Sequence, residues 1–597
     1  MNKDDQSKRL TSLRTVMKGH DVAAYLVPHA DEFQNEYTPP CAERLRWISG
    51  FDGSAGMAVV GITEAAIFVD GRYTLQVKGQ ADAKFWHHFH LVNDPAELWL
   101  QRQLSKGDRV GFDPRLYTPS RLSRLKTVLK NSGVELVAIE NNLIDMIWLD
   151  RPASPLGHVC LHPEIYNGET AANKRQDVAK MLQDDGMDAV VITSPDNLAW
   201  LMNLRGQDLE FTPTVLGHAI LHEHGKAELF IDLLKLSATV KHTLKSEGVL
   251  ACEPDQFAQA LMAFKGQKVR LERDTANVFI HEILQTAGAI IDVGVDPCTP
   301  AKAIKNTTEI EGMKQAHIRD GVALAQFFNW FRDIDLSQES EWTVSQKLAK
   351  FRERNDLYQG PSFPTISATG ANGAIVHYGL DRDHASPLKK DQLYLVDSGG
   401  QYLDGTTDVT RVVMNGTPTK EIKRRYTQVL KGHIAVSRAK FPVGTTGAQI
   451  DPLARQFLWA DGVDYDHGTG HGVGSYLSVH EGPQSISKRG TEVELKPGMV
   501  LSIEPGFYKT GAFGIRIENL AVVIKIPNPS PGADKSMLGF EPLTLAPYDR
   551  RLMEMNLLNQ TERDWINDYH AKVFAAIAPL LNDGDVNLLA QETKPLP

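Results

Sequence analysis

Residues 392–414 read QLYLVDSGGQYLDGTTDVTRVVM, and this segment decides how the rest of the chain is interpreted. Two β-rich runs flank a glycine-rich turn, a pattern typical of a β-hairpin. Asp397 lies in the first run and Asp408 in the second. If the turn centres on Tyr402 and Leu403, the two carboxylates face each other, and like charges in that position are destabilising. A divalent cation is the simplest way to neutralise them, although an isolated pair would more often be a turn cap and a solvated carboxylate.

Two further acidic residues interrupt apolar segments downstream. Residues 499–508 read MVLSIEPGFY and contain Glu504, and residues 514–523 read GIRIENLAVV and contain Glu518. Both segments are expected to be strands. A charged carboxylate at a strand position otherwise filled by Ile, Leu or Val is costly unless it is paired or coordinated. The four acidic residues therefore indicate one metal-binding cluster.

Between these acidic pairs lies HGTGHGVG, residues 467–474, followed by His480. The glycines do not form the GxGxxG pattern of a nucleotide-binding βαβ unit. We expect them to let the backbone approach a metal centre closely while a histidine reaches in. Four carboxylates with imidazole form an oxygen-rich donor set that favours Mn(II), with Co(II) or Zn(II) as alternatives, and disfavours a thiolate zinc site. Because four carboxylates exceed the needs of one small cation, two ions sharing bridging ligands are expected.

At this point the sequence resembles the pita-bread metallopeptidases of family M24, which include methionine aminopeptidase, prolidase, aminopeptidase P and creatinase. The matching ligand positions are Asp397, Asp408, His471, Glu504 and Glu518, here called the ligand set. The surrounding segments are most similar to the long, three-domain, cytosolic Xaa-Pro aminopeptidases of the family. They are DSGGQYLDGTTDVTR, HGTGHGVGSYLSVHEGP, SIEPGFY, IRIEN, FDGSAG (51–56), DGRY (70–73), NLRG (203–206) and EPLTLAPYDR (541–550).

The resemblance implies which ion each member of the ligand set would bind. Asp397 would bind one ion, His471 and Glu504 would belong mainly to the other, and Asp408 and Glu518 would bridge them. A hydroxide between the ions would attack the scissile carbonyl, with Glu504 as general base.

The resemblance also assigns residues outside the ligand set. His480 would donate a hydrogen bond to the developing oxyanion, and His377 would position the peptide or relay a proton. His467 would lie beside the pocket for the proline ring. Arg72 would contact the peptide from the first module, and Arg516 would orient a ligand carboxylate from behind.

The implied activity is removal of the N-terminal residue from peptides with proline in the second position. The alternative within the fold is a prolidase restricted to Xaa-Pro dipeptides. The length of 597 residues argues against it, because prolidases of this family usually carry one N-terminal module rather than two. Another alternative is a protein-binding module that has lost its ligands, and retention of the ligand set and His480 argues against it. The resemblance further implies a homodimer.

The first half of the chain repeats one pattern. Each copy has a helix (10–17 and 175–182), an apolar strand (22–27 and 189–193), a segment with Trp and a hairpin-like pair (57–60 with 66–69, and 218–221 with 228–231). Strand–helix alternation of this kind predicts two duplicated α/β modules, which the resemblance makes creatinase-like. The expected fold class is thus α/β (α+β), with two such modules before a pita-bread domain.

Proline-rich joints at 150–155 and 296–300 predict domains over 1–155, 156–300 and 301–597, with a C-terminal extension from about residue 540. A capping box, Thr308 with Glu311, predicts a helix start after the second joint. A capped amphipathic helix is expected around 561–577.

Composition is ordinary for a globular protein. The chain is 42% hydrophobic and 23% charged with a net charge of −10, and no basic block indicates a nucleic-acid surface. The four widely spaced cysteines predict reduced thiols. No apolar run approaches the roughly 20 residues of a membrane span, and no secretory signal is visible. These features predict a cytoplasmic protein without nucleic-acid or membrane partners.

Overall fold

The computed structural model describes residues 3–490, 492–527 and 531–597. The chain divides into two compact units. Unit 1 consists of residues up to 161 together with 169–298, and unit 2 consists of 162–168 together with 299–597. In the described ranges, no helix is both long and apolar enough to cross a membrane.

Unit 1 is built from short strands and helices that alternate along the chain. The strands are β1 (Ala24–Pro28), β2 (Gly56–Gly61), β3 (Ala65–Val69), β4 (His87–His90), β5 (Arg109–Phe112), β6 (Glu135–Ala138), β7 (Val159–Leu161), β8 (Ala189–Ile192), β9 (Leu204–Gly206), β10 (His218–His222), β11 (Ala227–Phe230), β12 (Val249–Cys252), β13 (Lys268–Glu272) and β14 (Ile290–Gly294). Up to residue 303 the helices are α1 (Lys3–Gly19), α2 (Arg44–Ser49), α3 (Gln76–Gln80), α4 (Ala96–Gln103), α5 (Pro119–Asn131), α6 (Glu164–Asn167), α7 (Ala171–Asp184), α8 (Pro195–Leu201), α9 (Ala238–Ser246), α10 (Phe257–Leu261), α11 (Val278–Ala287) and α12 (Cys298–Ala303).

The two halves of unit 1 share one sheet topology. Among the described residues, each half forms a six-stranded sheet, in the orders β4-β3-β2-β1-β5-β6 and β12-β11-β10-β8-β13-β14. In each sheet a central strand (β1 or β8) pairs antiparallel with a hairpin strand and parallel with the next strand on its other side. The predicted helices and hairpins are present, and the α/β class is confirmed. The matching strand orders agree with a duplicated module.

Unit 2 carries the segments with the candidate ligands. Its strands are β15 (Tyr358–Pro361), β16 (Ile366–Thr369), β17 (Leu393–Ser398), β18 (Gly400–Tyr402), β19 (Gly405–Thr406), β20 (Val409–Met414), β21 (Phe441–Pro442), β22 (Gly470–Gly472), β23 (Glu481–Ile486), β24 (Val500–Ile503), β25 (Gly506–Lys509), β26 (Phe513–Arg516), β27 (Asn519–Lys525) and β28 (Met537–Pro542). Its later helices are α13 (Thr307–Arg332), α14 (Glu341–Arg352), α15 (Lys420–Ser437), α16 (Gly447–Trp459), α17 (Gln560–Ile577) and α18 (Asp583–Glu592).

Strands β17 and β20 form the buried centre of unit 2. On one face, Leu393 and Leu395 pack in a core with residues of α15 and α17. On the other face, Tyr394 and Val396 pack with residues of α13. Because side chains alternate along a strand, burial on both faces explains why this segment is almost continuously apolar. Asp397 is the exception on the first face.

The hairpin register differs from the prediction. Asp397 lies opposite Thr410, not Asp408. The connecting turn is centred one residue later than expected, because Tyr402 pairs with Gly405 and leaves Leu403 and Asp404 at the tip. The resulting shift is two residues, and Asp408 lies two residues before Thr410, just outside β20. The two carboxylates are diagonal neighbours rather than a directly opposed pair.

The helix after the second joint also begins differently from the prediction. Helix α13 starts at Thr307, and its cap is Asn306 rather than Thr308. The Asn306 side chain accepts a hydrogen bond from the Glu309 backbone N–H, and the Asn306 N–H donates to the Glu309 carboxylate. An equivalent Asn559–Glu562 box starts α17, as expected for a capped helix there.

Candidate metal centre

Most of the candidate carboxylates lie in short breaks between strands. Asp408 immediately precedes β20, Glu504 separates β24 from β25, and Glu518 separates β26 from β27. The expectation that Glu504 and Glu518 occupy strand positions is therefore wrong, because each lies between two strands. Each break is where the chain passes from one sheet to another. A carboxylate there is freed from the alternation of strand faces and can turn toward a common point.

The breaks bring donor atoms from distant segments together. One ligand atom each from Asp408, His471 and Glu518 lies within 4.8 Å of the others. The His471 Nε2 atom is 3.5 Å from Asp408 Oδ2 and 3.5 Å from Glu504 Oε1. His471 Nδ1 donates a hydrogen bond to the Gly472 carbonyl oxygen, at 2.9 Å. That contact orients Nε2 toward the carboxylates, the usual arrangement behind a metal-binding imidazole.

Arg516 connects Asp397 to this group. Its Nη2 donates to Asp397 Oδ2 at 2.5 Å, and its Nε donates to the Thr410 hydroxyl at 3.1 Å. The Thr410 hydroxyl in turn donates to Glu518 Oε2 at 2.6 Å. The expectation that Arg516 orients a ligand carboxylate thus has a direct contact in support, with Asp397 as the partner.

The electrostatics of the cluster are those of crowded anions. Burial raises the pKa of Asp397, and the neighbouring Asp408 and Glu504 add to this rise while Arg516 opposes it. Burial and the other three carboxylates raise the pKa of Glu518 well above its usual value. Burial lowers the pKa of His471, but its contacts with Asp408 and Glu504 outweigh burial and raise it to about 9. The site is therefore short of positive charge.

The donor set fits divalent metal ions. Asp397 Oδ1 and Asp408 Oδ1 are buried and have no hydrogen-bond partner among the described residues. A buried, unpartnered carboxylate oxygen is costly, and a cation bound between such oxygens removes that cost. Carboxylate oxygens with one imidazole suit hard or borderline ions, and several carboxylates suit two of them.

The predicted histidines differ in how the structure places them. The His480 ring lies 4.4 Å from the His471 ring, centroid to centroid, so it borders the ligand set. His467 Nε2 and the Tyr508 hydroxyl share a 2.8 Å hydrogen bond, and His467 Nδ1 lies 4.0 Å from Glu504 Oε2. His377 follows Val376, whose carbonyl oxygen accepts a hydrogen bond from Arg516 Nη1. His480 and His467 thus border the ligand set, and the backbone next to His377 contacts Arg516.

Arg72 belongs to unit 1. Its Nε and Nη2 donate to Asp70 Oδ2 at 3.0 and 2.7 Å, and its guanidinium lies 4.0 Å from Glu36. The guanidinium also lies over the Tyr73 ring, 5.3 Å from its centroid. The DGRY motif therefore holds the arginine in one orientation. Its predicted contact with the peptide remains a prediction.

Three further residues of the site were not predicted from the sequence. Thr410 binds Glu518 and Arg516, Tyr508 accepts from Arg516 at 2.7 Å, and the Ser502 hydroxyl lies 3.2 Å from Glu504. All three lie within four residues of a ligand. Each is two or four residues from a ligand in the sequence, and this short spacing was the available signal.

Comparison with known families accounts for nearly all of the chain. Residues 9–147 and 150–309 match creatinase/prolidase N-terminal domains. Residues 311–525 match metallopeptidase family M24, and residues 536–596 match the C-terminal region of that peptidase family. A probable Xaa-Pro aminopeptidase P of Aspergillus fumigatus is 43% identical over 95% of this chain and 89% of its own length. The chain belongs to metallopeptidase family M24, in its aminopeptidase P group.

Two further relatives align with this M24 chain over nearly its whole length. A probable Xaa-Pro aminopeptidase P of Laccaria bicolor is 41% identical, over 98% of this chain and 92% of its own. The crystal structure of the X-prolyl aminopeptidase from Caenorhabditis elegans is 34% identical, with a TM-score of 0.95 over 99% of this chain and 100% of that one. That protein is described as a cytosolic enzyme with a dinuclear active site. The creatinase-like and M24 fold predicted from the sequence is confirmed.

Proposed function

We propose that this chain is a metal-dependent aminopeptidase that releases the N-terminal residue from peptides with proline in the second position. The single observation that carries the proposal is the convergence of Asp408, His471 and Glu518 donor atoms within 4.8 Å, beside Asp397 and Glu504. Relatives that align over nearly the whole chain carry the Xaa-Pro aminopeptidase P name. The length of the match favours this activity over a prolidase limited to dipeptides.

The ligand set would hold two divalent ions. Asp397 would bind one ion, His471 and Glu504 would bind mainly the other, and Asp408 and Glu518 would bridge them. When bound, the ions would make water acidic enough to supply a nucleophile near neutral pH and would polarise the peptide carbonyl. The oxygen-rich donors favour Mn(II) over Co(II) or Zn(II).

The other residues act on protons and on substrate position. The Glu504 carboxylate would accept the proton of the attacking water, and burial raises the pKa of this carboxyl. A ring N–H of His480 would donate to the carbonyl oxygen as negative charge develops there. His377 would position the peptide or relay a proton, His467 would border the proline ring, and Arg72 would contact the peptide.

The proposal extends to organisation and location. We propose domains over 1–155, 156–300 and 301–597, a homodimer, and a cytoplasmic location. The free state of all four cysteines and the cytosolic relative support that location.

Proline selectivity tests the proposal. A prolyl bond has no N–H and its ring fixes φ, so a site built for it needs no acceptor for that hydrogen. A non-prolyl second residue would lose ring contacts and bury an unpaired N–H, at a cost of about 1–3 kcal/mol for the latter alone. Purified protein reconstituted with Mn(II) should therefore cleave Arg-Pro-Pro far faster than Ala-Ala-Ala. Strict use of Ala-Pro would indicate a prolidase, and efficient removal of Met before Ala would indicate a methionine aminopeptidase.

A further inference from the structure

We propose that Arg411 is a positioning residue for the metal centre, and that through it the C-terminal region sets the separation of Asp408 and Glu518. The inference rests on the proposed function, because it assumes that these two carboxylates bind the ions. Arg411 lies behind the metal-binding carboxylates and does not face the substrate side.

Arg411 lies on the opposite face of its strand from the ligands. In the β17–β20 pair, Asp397 is opposite Thr410, and Val396 is opposite Arg411. Because side chains alternate between the two faces of a strand, Arg411 points away from the side occupied by Asp397 and Thr410. The residue is only 2% exposed, so its charge is removed from water.

Neutral groups satisfy the whole guanidinium. The acceptors are the carbonyl oxygens of Pro547 (3.1 Å), Thr410 (2.9 Å), Glu518 (2.6 Å) and Ala546 (2.7 Å), Asn519 Oδ1 (2.8 Å) and the Tyr569 hydroxyl (3.1 Å). None of these acceptors is a carboxylate. Burying a cation that contacts no counter-ion is costly. Arg411 therefore acts on its surroundings through the geometry of its hydrogen bonds rather than through ion pairing.

Two of the acceptors belong to the backbone that carries the bridging ligands. One is the carbonyl of Glu518 itself, and the other is the carbonyl of Thr410, two residues after Asp408. The Glu518 N–H also donates to the Thr410 carbonyl, at 3.2 Å. Arg411 Nη1 therefore joins the two backbones at the point where they approach each other. Their separation there limits the separation of the Asp408 and Glu518 carboxylates.

The remaining contacts come mainly from the C-terminal region. Ala546 and Pro547 precede α17, and Tyr569 lies on it. The Tyr569 hydroxyl accepts from Arg411 and lies 3.0 and 2.9 Å from the carbonyl oxygens of Thr544 and Ala546, to one of which it donates. The Tyr569 ring stacks on Trp565 with centroids 5.5 Å apart. The C-terminal region thus holds the guanidinium in place from behind.

Lysine cannot reproduce this arrangement. Arginine offers five N–H donors in a fixed planar fork, whereas lysine offers three donors from one ammonium nitrogen. An Arg411→Lys variant keeps the charge and loses most of the contacts. A Tyr569→Phe variant keeps the arginine but removes one of its acceptors, together with the hydrogen bonds of that hydroxyl to the Thr544 and Ala546 backbone. The two variants therefore separate charge from geometry.

The test measures Mn(II) affinity in the full-length protein by competition with a chromogenic chelator. Tyr569→Phe should weaken binding by about tenfold, the lower end for a residue behind a metal ligand, and Arg411→Lys should weaken it more. The control is Tyr394→Phe, which also removes a buried tyrosine hydroxyl from unit 2, one that is hydrogen-bonded to Ser367. It should bind Mn(II) as the unchanged protein does. Thermal unfolding of each chelated variant measures stability independently.

Unchanged Mn(II) affinity in Tyr569→Phe, with or without a lower unfolding temperature, would overturn the inference, because the contact would then serve stability alone. Full affinity in Arg411→Lys would overturn it too, because charge would then suffice. Failure of the unchanged protein to bind Mn(II) is a different result: it would remove the proposed function, and this inference with it.

Discussion

The Nη2 atom of Arg516 donates a 2.5 Å hydrogen bond to Oδ2 of Asp397, and both side chains are buried. The contact supplies one fixed positive charge to a cluster that holds four carboxylates. Burial by itself would lower the pKa of Arg516, but Tyr508 and the surrounding carboxylates raise it well above its usual value. Arg516 therefore remains charged and offsets part of the repulsion when no ion is bound.

Replacement of Arg516 should affect the metal-free protein most. Arg516→Met leaves Asp397 without its counter-ion, and breaking a buried pair costs about 3–5 kcal/mol. With Mn(II) bound, the ions supply the missing charge, so the loss should be smaller. Denaturant unfolding with and without Mn(II) measures both values, and Arg516→Lys is the charge-preserving control. An equal loss in the two states would contradict this explanation.

Metal removal should abolish activity and lower stability together. We expect about two divalent ions per chain by elemental analysis, because four carboxylates exceed the needs of one ion. A chelator should inactivate the protein, and Mn(II) should restore activity better than Co(II) or Zn(II). Full activity in a metal-free preparation would refute the proposed centre.

Removal of the His480 imidazole should slow catalysis without emptying the site. We expect His480→Ala to keep its metal content and fold while kcat falls roughly 10²–10³-fold, the scale for loss of one oxyanion donor. His384 is an exposed histidine of the same unit, and His384→Ala serves as the control. An unchanged kcat in His480→Ala would exclude it from the reaction.

Replacement of Arg72 should weaken peptide binding more than it changes metal content. Arg72→Ala removes the guanidinium that is held by Asp70 and that is proposed to contact the peptide. KM for tripeptides should therefore rise while the ions stay bound. Arg46→Ala removes an exposed arginine of the same unit, paired with Glu43, and should leave KM unchanged. Equal KM values for the two variants would remove Arg72 from substrate binding.

Glu481 should be a strong determinant of stability next to His480. Its carboxylate is fully buried and paired with Lys302 at 2.9 Å and with Lys305. Glu481→Ala leaves two buried ammonium groups without their partner, so unfolding free energy should fall by about 3–5 kcal/mol. Glu541→Ala breaks a partly exposed pair with Lys314 and should cost less than about 1 kcal/mol. Similar losses in denaturant unfolding would show that burial does not govern the Glu481 pair.

Local sequence signals were sufficient for elements that depend on nearby residues. The hairpins of unit 1 and helices α1, α7 and α17 follow from alternation, periodicity and caps within each segment. The register around Asp397 was wrong because it depends on the position of a turn, and the glycine-rich segment allows more than one. The cap of α13 was misassigned because Asn306 and Thr308 are both acceptable caps, and only the observed contacts with Glu309 distinguish them.

The sequence by itself determined the chemistry of the donors, since carboxylates within apolar segments and a histidine among glycines can be recognised one segment at a time. Only the tertiary structure decided how the donors meet. Asp408, Glu504 and Glu518 reach one point because strands break beside them, and Arg411 contacts the C-terminal region, which is more than 130 residues away in the sequence. Such contacts depend on packing between segments far apart in the chain, and no local pattern of residue types encodes their distances.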